Sequence, residues 1–261
     1  MFKKFAADVK KYFKYTVLAT KAQLKAEVAS SYLNWVWWVL EPICFTAIYA
    51  IVFGVFFSLK EQYMIAFIVI GVAMWDCFGR MMRNSVNIMR TNKSIVSKVY
   101  LPKFILIFVR IGVNGFKMLI SFALAVILMI VYGVPISAKL LFIIPIMATF
   151  VLFNYGLSCL LLHFGVYVAD LKNIVEILLK MVFYVTGVFY NVSKRIPAPY
   201  GTILTRFNPM AFLIDSMRKV MIYDEMPSYW VLACWLVFSA LLSIFGTWLI
   251  YKNENSYVKS I

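Results

Sequence analysis

Charged side chains inside long apolar stretches are the first places to look for chemistry, because each is costly in hydrocarbon unless it pairs or works. Glu41 stands directly before Pro42 in the first such stretch. Asp76 precedes Arg80, and Glu176 precedes Lys180, by one helical turn, the favourable order for an ion pair along a helix. Arg110 and Lys117 are seven apart and so share one helix face. Arg110 can snorkel toward an interface. Lys117 lies deeper and needs an inward partner, for which Glu41 is a candidate. His163, the single histidine, reads as a hydrogen-bonded packing residue rather than a proton relay or metal ligand.

Patterns for catalysis by this chain are missing. There is no G-x-x-x-x-G-K-[ST] phosphate loop, no H-E-x-x-H and no G-x-S-x-G, so no catalytic residue, metal site or cofactor is expected. Cys44, Cys77, Cys159 and Cys234 sit in apolar runs without C-x-x-C spacing and read as buried thiols. Aromatic residues are 18% of the chain, and several are grouped. Trp35, Trp37 and Trp38 suit an interfacial belt. Tyr49, Phe53, Phe56, Tyr184 and Tyr190 are candidate channel residues, offering flat faces on which sugar rings stack without being held. Contact with lipid and neighbouring helices is the plainer use of the same side chains.

These groups must be positioned by membrane helices. With 64% hydrophobic and 14% charged residues, the 261-residue chain has too much apolar surface for a soluble globule. Six stretches approach or exceed the ~20 residues that a spanning helix needs: roughly 35–58, 63–82, 104–132, 140–168, 174–190 and 229–251. Ten-residue alternating units are absent, which argues against a β-barrel. Ahead of the spans, Phe2, Phe5, Val9, Phe13, Val17, Leu24 and Val28 share one helical arc opposite Lys3, Lys4, Lys11, Lys14, Lys21 and Lys25. That is the pattern of an amphipathic helix lying in the interface, or of one packed on the protein's own surface. No cleavable leader is expected, since the first long apolar run starts only near Trp35.

The formal charge of +15 is unevenly placed. The N-terminal segment carries seven lysines, and the second-to-third connection holds Arg80, Arg83, Arg90, Lys93, Lys98 and Lys103. All outer connections together hold seven basic residues, which predicts cytoplasmic termini. Anionic lipid, not nucleic acid, is the expected partner of this excess. The outer connection 191–228 is itself apolar in part. Asn208 as N-cap and Pro209 at the first helical position start a helix whose Met210, Leu213, Ile214, Met217 and Met221 form one face. It is too short to span, and reads as a re-entrant or interfacial element.

Three blocks carry a resemblance. Ser31–Pro42, with its Leu33-Asn34-Trp35 and Trp37-Trp38, leads into Tyr49-Ala50-Ile51-Val52-Phe53. Lys98-Val99-Tyr100-Leu101-Pro102-Lys103 follows the second span, and Asn208-Pro209-Met210 with Asp215 and Arg218 precedes the last. In this order the chain resembles the transmembrane subunits of type-2 ABC transporters that export polysaccharide, O-antigen, capsule or teichoic acid. Asn34 stands where that family usually has Gly, and Leu101 where Phe is common.

The resemblance implies an all-α membrane permease forming one domain over residues 1–261, with two copies and two separate ATPase subunits that bind ATP and magnesium. It makes Arg90, Thr91, Asn92, Lys93, Ser94, Ile95, Val96 and Lys98 the surface that docks on the ATPase. It makes Asn208, Pro209, Asp215 and Arg218 part of short helices closing the channel on the outside. The implied substrate is a lipid-linked glycan taken from the cytoplasmic leaflet of the bacterial plasma membrane. Export of a drug or lipid is the alternative within the superfamily, and a membrane-embedded enzyme acting on lipid carriers the alternative outside it.

Overall fold

The computed structural model describes residues 2–29, 32–56, 61 and 63–259; for Phe2, Asn34, Val55, Phe56, Ser193, Lys194, Val258 and Lys259 it describes the backbone alone. The first helix, α1, is Phe2–Val28. A 3-10 turn at Asn34–Val36 leads into α2, Trp37–Ala50, which widens into a π turn at Ile51–Phe56. Then come α3, Met64–Val86, and the short α4, Ile88–Thr91, and α5, Lys93–Val96. Helix α6 is Lys103–Val131, and a 3-10 stretch Ala138–Phe142 opens α7, Ile143–Tyr167. The series ends with α8, Leu171–Val185, α9, Val192–Arg195, α10, Tyr200–Phe207, α11, Pro209–Ile222, and α12, Tyr229–Lys259. Among the described residues all regular structure is helical, the form in which a chain in hydrocarbon satisfies its own backbone.

Among the described residues, five helical stretches are long and apolar enough to cross a membrane: 37–54, 64–86, 103–131, 138–167 and 229–257. The predicted fifth crossing takes a different form. Helix α8 has 15 residues, which at 1.5 Å per residue reach about 22 Å, short of the ~30 Å hydrocarbon thickness. The chain nevertheless has to return. Tyr251 Oη on α12 donates to Asp8 on α1 at 2.7 Å, and Tyr257 Oη lies 2.8 Å from His163 Nδ1 near the end of α7. The N-terminal helix and the end of α12 therefore share one end of the bundle, with the basic connection 87–102. At the far end, the rings of Phe142 and Tyr229 meet at 5.4 Å. Helix α8 and the irregular segment after it make the remaining passage between these ends.

Helix α3 forms the core. Residues Ala66–Trp75 are all buried, as expected of a helix that is apolar all round. Behind it α7 and α12 pack closely. A Cβ on Gly246 would fall 2.6 Å from that of Cys159, and one on Gly156 would fall 3.0 Å from the backbone of Leu242. Small residues at such a crossing let two backbones approach where lipid offers no hydrophobic drive.

Helix α1 crosses α6, with Phe5 against Phe104 at 5.0 Å and Thr20 Oγ1 donating to Val109 O at 3.5 Å. It also leaves Phe13 and Leu18 more than 60% exposed, so it packs on the protein and keeps apolar side chains for lipid.

The expected pairing of Glu41 with Lys117 is replaced by two others. Glu41 pairs with Arg80 across helices at 2.8 Å, rather than with Lys117. Lys117 takes Glu27 of α1. Arg80 and Arg83, expected in the connection, lie inside α3, because α3 continues to Val86.

Candidate functional site

The passage after α8 is built around one buried arginine. Gly187, at φ +71°, ends the helical path, and residues 186–191 run without regular structure. Irregular backbone at membrane depth is tolerated only when its polar groups are met by protein. Arg218 of α11 meets them: Nη1 donates to Gly187 O at 2.9 Å, Nη2 to Val188 O at 2.5 Å and Nε to Phe67 O at 3.1 Å. Its guanidinium lies 3.4 Å from the centroid of the Phe67 ring. A Cβ on Gly71 would sit 2.2 Å from Nη2, so the bare backbone there admits the arginine.

The predicted cap at Asn208 is present, its side-chain oxygen accepting from Met210 N at 3.0 Å and Ala211 N at 3.2 Å. Its amide also donates to Thr186 Oγ1 at 3.0 Å, tying the start of α11 to the end of α8. Pro209 occupies the first turn, and Met210, Leu213, Ile214, Met217 and Met221 are all buried. Asp215 pairs with Lys219 at 2.8 Å. The residues expected at the outer closure thus share one structure that fixes the broken crossing. Nearby, Tyr223 Oη donates to Glu61 at 3.0 Å, and burial, then the Glu61 carboxylate, raises that phenol above its ordinary range.

Between α2, α3 and α8 lies a cleft of about 530 Å³, continuous with a recess of about 220 Å³ through Tyr49, Trp75, Asp76, Arg83 and Phe183. Toward the basic end its walls carry Arg80, Arg83 and Lys180 together with Glu41, Asp76 and Glu176. Farther in, the walls are aromatic. Phe189 stacks 4.6 Å from Phe53 and lies 4.1 Å from Tyr49, while Phe183 lies 5.2 Å from Phe189 and 5.3 Å from Trp75.

Of the predicted channel residues, Tyr49 and Tyr184 line the cleft, and Phe53 joins through Phe189. Tyr190 folds back, its hydroxyl donating to Tyr184 O at 2.6 Å. The side chain of Phe56 lies outside the described residues. Trp75 and Phe189 also line the recess; Phe189 lies beside Tyr190 in the sequence, but the central place of Trp75 depends on tertiary packing. Such a cleft can stack rings along its aromatic part and bind polar or anionic groups at its charged mouth.

The predicted docking surface divides into two faces. Ile88, Met89, Asn92 and Val96 are buried. Asn92 Nδ2 donates to Ile88 O at 2.8 Å, so this residue anchors the turn between α4 and α5 rather than facing outward. Arg90, Thr91, Lys93, Ser94, Ile95 and Lys98 are exposed. The strand of chain leading to α6 is held from two sides, by Tyr12 Oη on Tyr100 O at 3.3 Å and by Tyr100 Oη on Glu254 at 3.2 Å. Burial, followed by the Glu254 carboxylate, raises the Tyr100 phenol.

Comparison with known proteins agrees with this architecture. The chain is 27% identical over 209 residues, 80% of each chain, to an O-antigen export system permease protein RfbA of Klebsiella pneumoniae. It is 22% identical over 240 residues, 92% of each, to one from Myxococcus xanthus. The model of the ABC-2 type transporter family matches residues 16–222. The chain therefore belongs to the ABC-2 type transporter family, as a multi-pass membrane subunit of a transporter and not an enzyme.

Proposed function

We propose that this chain is the membrane subunit of an ATP-driven exporter of lipid-linked polysaccharide, acting as a homodimer with two separate ATPase subunits. The observation that carries the reading is the cleft between α2, α3 and α8, charged at its mouth and aromatic within. Aromatic faces suit a polymer of sugar rings that must slide, since stacking is favourable yet holds no single unit. Arg83 and Lys180 suit the anionic linkage of a lipid carrier, while Arg80 is held by Glu41. The similarity to O-antigen export permeases supports the same substrate class.

The basic end, with both termini, faces the cytoplasm in this reading, as the lysine and arginine bias requires. ATP and magnesium act on the partner chains. The exposed face of α4 and α5, above all Arg90, Lys93, Ile95 and Lys98, seats in the ATPase and passes its motion to α3 and α6. On the far side, α10 and α11 with Asn208, Pro209, Asp215 and Arg218 close the path. Helix α2, on which Thr46 alone is buried among the described residues, is the face offered to the second copy.

The test uses the permease purified with its ATPase. Lys93→Glu combined with Ile95→Glu is expected to abolish glycan export and ATPase co-purification while the permease melts within about 2 °C of wild type, since exposed substitutions rarely move stability by more than ~0.5 kcal/mol. Phe189→Ala is expected to slow export and leave co-purification intact. Undiminished glycan export by both variants overturns the proposal.

A further inference from the structure

The bundle has a second, unrelated cavity system on the side where α1, α6, α7 and α12 meet. A groove of about 350 Å³ is lined by Phe5, Phe108, Leu152, Tyr155, Ile244 and Thr247, among others. Its polar groups are already occupied. Tyr155 Oη lies 2.8 Å from Thr247 Oγ1, Thr247 Oγ1 donates to Ser243 O at 2.7 Å, and Ser243 Oγ donates to Leu152 O at 2.8 Å. A sugar or peptide would find no free partner there, whereas a hydrocarbon chain needs none.

Directly beside it, at the basic end, Lys4, Trp248, Tyr251 and Lys252 enclose a recess of about 310 Å³. Lys4 Nζ stands 5.0 Å from the Tyr251 ring centroid and Lys252 Nζ 4.9 Å from that of Trp248. The two carboxylates nearby are engaged by tyrosines: Asp8 by Tyr251 Oη at 2.7 Å and Glu254 by Tyr100 Oη at 3.2 Å. Neither carboxylate lines the recess, whereas Lys4 and Lys252 do, so its walls present two ammonium groups to an anion. Lys4 is next to Phe5 on α1, and Trp248 is next to Thr247 on α12, so recess and groove lie one above the other along the same two helices.

Length decides the occupant. From Lys252 at the recess to Ala240 in the groove is twelve residues of α12, about 18 Å at 1.5 Å per residue. That is slightly more than half of a ~30 Å hydrocarbon core, the depth of one leaflet. We propose that this is a binding site for an anionic glycerophospholipid, its phosphate between Lys4 and Lys252 and one acyl chain in the groove. The lipid would clamp α1 onto α12 and α6 beside the coupling segment. The site is independent of the exported molecule.

Native mass spectrometry of the purified permease, titrated with phosphatidylglycerol or phosphatidylcholine of matched chains, tests it. Wild type is expected to retain phosphatidylglycerol preferentially. Lys4→Gln with Lys252→Gln is expected to weaken that retention about tenfold or more, given ~1 kcal/mol for each lysine near an anionic surface. Ala240→Phe, which fills the groove, is expected to reduce retention with the lysines intact. Lys10→Gln with Lys14→Gln, removing equal charge from the same helix, is expected to have little effect, and excess glycerol phosphate is expected not to displace the lipid. Unchanged retention in the first double variant, an equal loss in the Lys10 and Lys14 control, displacement by glycerol phosphate, or no effect of Ala240→Phe each overturns the proposal. Export is not read in this experiment, so its outcome is separate from that of the substrate assignment.

Discussion

Helices α2 and α3 are adjacent in sequence and equal in mean hydropathy, 1.6 over their spanning stretches, yet they occupy opposite environments. On α3, every residue from Ala66 to Trp75 is buried. On α2, Thr46 alone is buried among the described residues. Apolarity selects the membrane for both, but lipid is as apolar as leucine and cannot sort helices into inside and outside. Neighbours do the sorting. Helix α3 has α6, α7, α8 and α11 around it, and it admits them through Gly71 and through backbone that Arg218 satisfies. Helix α2 is tethered at its side, by Glu41 to Arg80 and by Trp38 edge-on to Phe116 at 5.4 Å. Its remaining surface is left for lipid and, in the proposed assembly, for a second protomer.

The strongest way to break this contrast is to remove the group that closes the enclosed side. Arg218→Ala orphans the carbonyls of Gly187 and Val188 and removes a second donor from Phe67 O, which keeps its helical bond within α3. At about 1–3 kcal/mol for each buried unsatisfied group, the loss approaches the ~5–15 kcal/mol that holds a typical domain together. The variant is expected not to accumulate as monodisperse protein in detergent, read by size-exclusion chromatography. Arg218→Lys, with one ammonium for three acceptors, is expected to accumulate poorly as well. Wild-type yield and melting for Arg218→Ala would show that the segment after α8 holds itself.

A smaller perturbation sharpens the contrast by making one change in both places. Ile70→Ala, at a site with 0% exposure, leaves a cavity in α3 and is expected to cost about 2–5 kcal/mol. Ile48→Ala, at a site with 54% exposure on α2, exchanges lipid-facing surface for lipid-facing surface and is expected to stay within ~0.5 kcal/mol for the isolated chain. Thermal melting of the two variants in the same detergent checks this. Equal shifts would mean that α2 is enclosed.

What the sequence discloses follows the same division between local and tertiary causes. The spans, the Asn208 cap and the apolar face of α11 are legible because hydropathy, capping and helical period are local. Arg218 stood out through the block of residues around it, but its task did not, since its acceptors lie about thirty and one hundred and fifty residues away. The end of α8 at Val185 was hidden for a related reason. Apolar residues continue to Tyr190, and what stops the helix is Gly187 at positive φ together with a donor from another element. The partners of Glu41 and Lys117 are interhelical, so spacing along the chain could not supply them. Asn92 and Val96 were grouped with the exposed face because the break between α4 and α5, which turns them inward, is a matter of backbone angle at one residue.

The smallest expected effect belongs to the far end, where neither helix environment applies. Asp224, at φ +50° between α11 and α12, accepts from Ser137 Oγ and from Lys139 Nζ, the latter at 2.9 Å. The Ser137 hydroxyl first and the Lys139 ammonium second hold its carboxyl below the ordinary value of 3.8. A carboxyl whose folded value is depressed contributes stability that is present above the unfolded value and is lost as pH falls through the folded one. The tie between the 133–139 turn and the connection from α11 to α12 is therefore intact at neutral pH and weakens from about pH 4 downward. Asp224→Asn removes that dependence. The expected result is a small difference in melting temperature between wild type and Asp224→Asn at pH 7 that shrinks as the buffer is taken to pH 3. A difference that grows toward low pH would reverse the sign and place the carboxyl in an environment that favours its neutral form. The Ile70→Ala and Ile48→Ala shifts carry no titrating group, so their gap is expected to persist over the same range.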